Sequence, residues 1–321
     1  MEKKLKILLG SCGGLTGLYL AKTLTRNFFI KCSIYGIDVN EMIPTRKFLD
    51  KLYKVPKSDN EKDFLNSVIS IINEEEIDVY IPTHSKEFYV VSKHEDYLRN
   101  NTNVKFVVSP FETFKNLENK KNAYLKLKEQ GLDVPKIYDS ISDIEKFPVF
   151  TKPAVGSGSK NAFVVNNFDE ARLIQIKYPE NFFMEYVGGK EYTVDCIFDL
   201  KGDLISYNQR VRMKTLGGAV IVTKNDFSVD FKNEIDVISK IYKIKGPCNF
   251  QFFYQDGRKI LTDINLRFAS GGLPLTMESG VNVLEIMIKM LLGIPFDKEQ
   301  YKSDRKNRVM YRYFEEFFEV E

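Results

Sequence analysis

Tryptophan is absent from the 321 residues, and histidine occurs only twice, at His84 and His94. Two histidines cannot build a histidine-rich metal centre. The four cysteines, Cys12, Cys32, Cys196 and Cys248, lie far apart and form no Cys-x-x-Cys. This argues against structural zinc and a disulfide framework, and a reducing cytoplasm is the expected setting. No apolar run is long enough for a membrane span. Leu9-Gly10-Ser11-Cys12, behind Lys3, Lys4 and Lys6, looks like a lipoprotein cleavage site. Yet Ile7-Leu8-Leu9 falls short of the roughly 7–15 apolar residues of a signal peptide, so it reads as a first strand. There is no heptad run, basic block or internal repeat, and the net charge of +3 is spread along the chain. Neither a nucleic-acid nor a membrane partner is expected. What is present, 43% apolar and 28% charged residues, is the composition of a globular protein with room for two or three lobes.

The first third alternates strand and helix. Strands are expected at 5–9, 32–38, 77–81 and 104–108, and helices at 16–27, 61–75 and 86–98. This predicts a small open α/β layer with a mostly parallel sheet. A helix at 116–130 stops at Gly131, with Pro135 beyond. Strands are expected at 147–152 and 161–165, with a helix at 168–177. From Phe182 onward strands dominate, at 182–186, 191–199, 203–209, 219–223, 248–254 and 259–266, with helices at 230–243 and 280–292. This is an α+β unit with a small lid.

The richest segment runs from Asn249 to Arg267. Phe250, Phe252, Ile260, Ile264 and Leu266 fall on even positions; Asn249, Gln251, Asp263, Asn265 and Arg267 fall on odd ones. Period-2 alternation puts one set in the core and the other over a cavity. Oxygen ligands two residues apart can share a hard cation, and an arginine two further on can reach a phosphate. A G1-bulged turn at Gln255-Asp256-Gly257 would set Gln251 opposite Leu261 and gather the polar set on one face. An ordinary hairpin with a solvated polar face explains the same pattern.

Other segments carry weaker signals. Gly10-x-x-Gly13-Gly14-x-x-Gly17, with Asp38 ending the next strand, could cradle an anion, bind a dinucleotide or simply be a tight turn. Lys152-Pro153-Ala154-Val155-Gly156-Ser157-Gly158-Ser159-Lys160 could fold over phosphates or be a surface hairpin; it lacks a Walker A ending. Glu185-Tyr186-Val187 and Glu191 flank a short Gly188-Gly189 linker that could present backbone to a purine edge. Arg210, Arg212 and Lys214 share a face if extended, a site for an anion or a solvated basic edge.

In this order the motifs resemble the ATP-grasp superfamily, from Lys120 to about Arg267, with a fitting lobe ahead of them. The resemblance is closest to modules of the carbamoyl-phosphate synthetase large-subunit type, on Gly246-Pro247-Cys248-Asn249-Phe250-Gln251. It implies a Rossmann-like parallel sheet over 1–113, a small lobe with the phosphate loop over 114–184, and a C-terminal lobe over 185–321. It assigns ATP to Lys120, Lys152, Gly156, Ser157, Gly158, Ser159, Glu185, Tyr186, Val187 and Glu191. It assigns Mg²⁺ (or Mn²⁺), two ions, to Gln251, Asp263 and Asn265, and catalysis to Arg267 and Lys152, joined by Arg210 and Arg212. Gly13, Thr83, Ser85, Glu87, Ser270 and Gly271 would line the substrate pockets. The family usually has glutamate where Asp263 stands, so the second ion would be held less easily.

The implied activity is an ATP-dependent carboxylate–amine ligase working through an acyl phosphate and releasing ADP and phosphate. The alternatives are a carbamoyl-phosphate synthetase-like subunit needing a partner, such as an amidotransferase, and a non-catalytic ATP-binding regulator. An NAD-dependent oxidoreductase built on Gly10–Gly17 explains nothing beyond residue 110. A homodimer is left open, as is the tail from Arg305, read either as a last strand or as a dimer contact.

Overall fold

The computed structural model describes residues 4–26, 28–156, 160–216 and 219–319. The first alternation forms β1 (Leu5–Leu9), α1 (Leu15–Leu24), β2 (Cys32–Asp38), β3 (Lys51–Lys54), α2 (Glu61–Glu74), β4 (Val79–Ile81) and α3 (Ser85–Lys93). The strands make a parallel sheet in the order β3-β2-β1-β4. Leu5, Ile7, Leu8 and Leu9 are all buried on β1, as a strand covered on both faces requires. In α2, Phe64, Leu65, Val68, Ile71 and Ile72 form the buried stripe, and Glu61 and Asp63 sit at its positive end.

Three expectations in this region change. The helix expected over 86–98 breaks at His94, and α4 (Glu95–Asn101) follows. The strand expected at 104–108 reduces to a single bridge from Lys105 to Val79, although Val104, Phe106, Val107 and Val108 are buried as predicted. The helix expected over 116–130 is two, α5 (Phe111–Glu118) and α6 (Lys120–Glu129). Asn119 separates them and caps α6 by accepting the Asn122 N–H at 3.0 Å, a local competitor to a continuous helix.

The small lobe contains β5 (Ile137–Tyr138), β6 (Val149–Pro153), β7 (Phe163–Val165), α7 (Phe168–Lys177) and β8 (Asn181–Glu185). Its antiparallel sheet has the order β5-β8-β6-β7. The large sheet is built from β9 (Lys190–Phe198), β10 (Leu204–Leu216), β11 (Ala219–Asn225), β12 (Gly246–Gln255) and β13 (Arg258–Asn265), with α8 (Lys232–Ile241), α9 (Leu273–Glu278), α10 (Val283–Leu292) and finally β14 (Val309–Tyr311). Its order is β13-β12-β9-β10-β11-β14. Strand β10 runs well past 209 and carries Arg210, Arg212 and Lys214, and the tail supplies a last strand.

Alternation divides this sheet. Tyr192, Val194, Cys196, Phe250 and Phe252 pack with Phe231, Ile235 and Ile238 in one core. The opposite face gathers polar residues by cross-strand register, Thr193 beside both Arg210 and Gln251, and Asp195 beside both Asn208 and Asn249. A second core joins Ile7 and Leu8 to Leu284, Ile286 and Met287 of α10. The parallel sheet and the large sheet are thereby fixed against each other. Among the described residues no helix is long and apolar enough to cross a membrane.

Candidate active site

The β12–β13 hairpin gathers its polar residues by a different device from the one expected. Asp256 and Gly257 form a two-residue loop, both with positive φ (50° and 82°), and Gln255 pairs with Arg258. This is the type I′ geometry favoured by Asp-Gly, so there is no G1 bulge at the turn. The register shifts deeper in the strand, where Phe252 pairs with Leu261 but Gln251 pairs with Asp263. Thr262 is the extra residue. Without it Asp263 would face Phe250 in the core; with it Ile264 faces Phe250, and Gln251 lies opposite Asp263 rather than Leu261. The bulge also frees the Thr262 carbonyl, which accepts from the Tyr124 hydroxyl and, at 3.4 Å, from Lys152 Nζ.

A chain of polar contacts starts at this bulge. Lys120 Nζ lies 2.6 Å from Asp263 Oδ1, and Asn265 Nδ2 donates to Asp263 Oδ2 at 3.0 Å. Arg267 Nη2 donates to Asn265 Oδ1 at 3.5 Å, Nη1 to the Phe268 carbonyl at 2.8 Å, and Nε to Ser85 Oγ at 2.7 Å. Asn249 Nδ2 holds the Arg267 carbonyl at 3.1 Å. Lys152 Nζ donates to Tyr124 Oη at 2.7 Å. Burial and the neighbouring Lys120 push the Lys152 ammonium down to about 8, against the pull of Asp263. Burial raises the Asp263 carboxyl, but Lys120, Lys152 and the Asn265 amide together carry it below its ordinary value. Burial also lowers the Arg267 guanidinium, opposed by Asp263 and Asp195.

Ser157, Gly158 and Ser159 of the expected phosphate loop lie outside the described residues. The root of the loop is docked on α6: Lys120 N–H donates to the Ala154 carbonyl at 2.7 Å, and Asn119 bridges Val155. Gly156 has φ +154°, where only glycine is at ease. Beyond β8, the Glu185 carboxylate accepts from Arg258 Nη1 at 2.8 Å and from the Lys136 N–H at 3.1 Å. Its side chain is therefore committed to fixing the start of the 186–189 linker. Gly188 N–H donates to Gln255 Oε1 at 3.0 Å, and a Cβ on Gly189 would lie 2.4 Å from the Tyr254 carbonyl oxygen. Tyr186 is exposed and Val187 is buried.

Residues expected to act separately prove to be paired. Arg212 pairs with Glu191. Arg210, 3% exposed, clamps Asp195 through Nε at 2.9 Å and Nη2 at 3.2 Å. Thr276 of α9 donates to the same carboxylate, and a Cβ on Gly272 would lie 1.9 Å from Arg210 Cζ. Arg210 is therefore packed beneath α9 in a buried pair, not held on an open face. Gly271 offers its carbonyl to Arg312 Nη2 at 2.9 Å, while Ser270 is exposed.

On the parallel sheet, Asp38 Oδ2 accepts the Gly13 N–H at 2.8 Å, so this acid ties down the glycine turn. Thr83 Oγ1 donates to the Gly10 carbonyl at 2.8 Å. Glu87 is fully buried, bonded to the Tyr80 hydroxyl, and lies where a Cβ on Gly10 would be, 1.6 Å from its Oε1. Burial raises its carboxyl to about 7. Two residues escaped the sequence reading, one beside the open site and one in the sealed pair beneath α9. Tyr124 stands four residues after Lys120, a spacing that shares a helix face, and Asp195 stands among the alternating residues of β9. Spacing could have found both.

A family model described as ATP-grasp in the biosynthetic pathway with Ter operon matches residues 177–317, and one described as a PylC-like N-terminal domain matches residues 7–107. The D-alanine–D-alanine ligase of Fusobacterium nucleatum is 26% identical over 143 residues, covering 44% of this chain and 45% of that protein. The carbamoyl phosphate synthase large chain of Campylobacter jejuni is 23% identical over 267 residues, covering 74% of this chain and 24% of that one. The chain thus spans less than half the length of these curated relatives. The crystal structure of N5-carboxyaminoimidazole synthetase from Staphylococcus aureus complexed with ADP superposes with a TM-score of 0.72 at 16% identity, covering 97% of this chain and 83% of that one. That likeness is one of fold.

Proposed function

We propose, from the match of residues 177–317 to an ATP-grasp family model, that the chain is an ATP-dependent ligase. It would activate a carboxylate as an acyl phosphate, join it to an amine or related nitrogen nucleophile, and release ADP and phosphate. The single observation that carries this reading is the Lys120–Asp263–Asn265–Arg267 chain on the polar face of the large sheet, with Lys152 beside it.

Phosphoryl transfer needs positioning and charge neutralisation more than a covalent nucleophile. Lys120 and Lys152 are two cations at the root of the glycine/serine loop, suited to a nucleotide's phosphates. On ATP binding Lys120 would leave Asp263 for a phosphate oxygen. Glu185 and Val187 would offer backbone to adenine while the Glu185 side chain anchors the linker. Glu191 would accept ribose hydroxyls, sharing them with Arg212. Arg267 would hold charge on the transferred group.

The donor set fits a hard cation. Gln251 and Asp263 face each other, and Asn265 follows on the same face, giving one carboxylate and two amide oxygens. That suits an ion held mainly by nucleotide phosphates. No group of three or more His, Cys, Asp or Glu side chains suited to a metal occurs among the described residues. Gln251, Asp263 and Asn265 would hold Mg²⁺ there, and the ion would supply charge neutralisation for the phosphates.

The activity is tested by ADP release with Mg-ATP across a panel of carboxylates, with and without hydroxylamine. ADP plus a hydroxamate with one carboxylate is expected. ATP binding without ADP from any of them would reduce the reading to fold alone. The resemblance of Gln251 and its strand to carbamoyl-phosphate synthetase modules supports a second reading, a phosphorylated product released as such; ADP formed without any nitrogen nucleophile consumed would favour it.

A further inference from the structure

Arg267 reaches across the molecule for one of its partners. Two of its donors stay local, on Asn265 and Phe268, while Nε–H goes to Ser85 Oγ at 2.7 Å, 182 positions away in the chain. Ser85 opens α3 on the parallel sheet, and its surroundings are rigid. The His84 ring caps the helix by accepting the Lys86 N–H at 3.3 Å, and the Phe88 N–H closes on the His84 carbonyl at 3.0 Å. Thr83 is tied to the carbonyls of Gly10 and Ser11 at 2.8 and 3.0 Å, and Glu87 is packed under the glycine turn. A free arginine side chain has several rotamers, so aiming its planar fork requires an outside partner.

We propose that Ser85 is a positioning residue for Arg267: from the parallel sheet, its hydroxyl holds the guanidinium beside the Asp263–Asn265 end of the polar face. What Arg267 then does to a phosphoryl group rests on the function proposed above; the holding itself does not. Because the second core fixes the two sheets together, the Ser85 contact transmits the position of the first sheet to the arginine. Any shift of the α3 N-terminus would move Arg267 relative to Asn265.

The test compares Ser85→Ala with Ser85→Thr in the full chain. The contact is read from the Nε–H resonance of Arg267 in protein labelled with nitrogen-15 arginine, assigned by its loss in Arg267→Lys. Wild type and Ser85→Thr should exchange this hydrogen slowly, and Ser85→Ala about tenfold faster. With the active carboxylate, Ser85→Ala should lower kcat about 10- to 100-fold while the ATP Kd stays within about twofold, and Ser85→Thr should recover most of kcat. Equal exchange in wild type and Ser85→Ala overturns the proposal. So does an unchanged kcat, or an ATP affinity that falls as far as kcat does. If wild type forms no ADP from any carboxylate, the ligase reading fails, and the exchange rates alone decide the Ser85 contact.

Discussion

Two acid–base pairs on the large sheet use the same residue chemistry to opposite ends. Asp195–Arg210 and Asp263–Lys120 both sit on its polar face, with shortest contacts of 2.9 and 2.6 Å. The first pair is 3% exposed on both side chains, the second 24% and 26%. Cover makes the difference. Helix α9 closes over Arg210 through Thr276 and Gly272, whereas the Asp263 end opens toward the small lobe. A sealed pair keeps its partners; in the open pair, on the function proposed above, Lys120 could leave Asp263 for a phosphate. Glu87 marks a third condition, a buried acid held by the neutral Tyr80 hydroxyl and the Thr83 N–H, and burial raises its carboxyl.

This contrast can be broken from either end. The largest expected effect is on turnover: Asp263→Ala or Asn265→Ala should lower ADP formation about a thousandfold or more, with the denaturant midpoint almost unmoved because the pair is partly solvated. Activity near wild type in either variant would remove the metal assignment. Asp195→Ala should do the reverse, costing about 3–5 kcal/mol in urea unfolding by leaving Arg210 buried and unpaired. A loss under about 1 kcal/mol would show that the two ends do not differ as described.

Glu87 sharpens the comparison through pH. Its folded pKa of about 7 lies above the ordinary 4.5, so the folded state holds the proton more tightly. Stability from this group is present at low pH and is lost as pH rises from 4.5 to 7, by about 3 kcal/mol. The unfolding midpoint should follow that slope in wild type and lose it in Glu87→Gln. The smallest effect is on ATP binding. Lys152, charged below about 8, loses its proton above that pH, so ATP affinity should fall as pH rises, by at most about tenfold per unit. Lys152→Ala should bind ATP more weakly and lose this dependence in a calorimetric titration.

The parallel sheet and the hairpin were legible in the sequence for different reasons. The run Leu5–Leu9 and the stripe of α2 are strong local periodicities, and the structure keeps them. The alternation from Asn249 to Arg267 set the right residues on one face. It could not reveal that Thr262 supplies the bulge, because an internal bulge is chosen by core packing and not by turn chemistry. Nor could it reveal that Arg210 is sealed: cover comes from α9, some 60 residues later, and alternation carries no information about depth. The pairing of Glu191 with Arg212 was hidden for the same reason, since register across β9 and β10 depends on the turn between them. The Ser85–Arg267 contact needs two sheets to meet, which no single segment encodes.

On the proposed function, this polar face moves a phosphoryl group from ATP to a carboxylate. That transfer is tested most directly by supplying the carboxylate labelled with oxygen-18 and following the label by mass spectrometry. An acyl phosphate intermediate predicts one labelled oxygen in the inorganic phosphate released for each ADP formed, and none when Asp263→Ala replaces wild type. ADP formed with unlabelled phosphate would mean that water attacks ATP directly, and the account of this face as a carboxylate-activating site would be wrong.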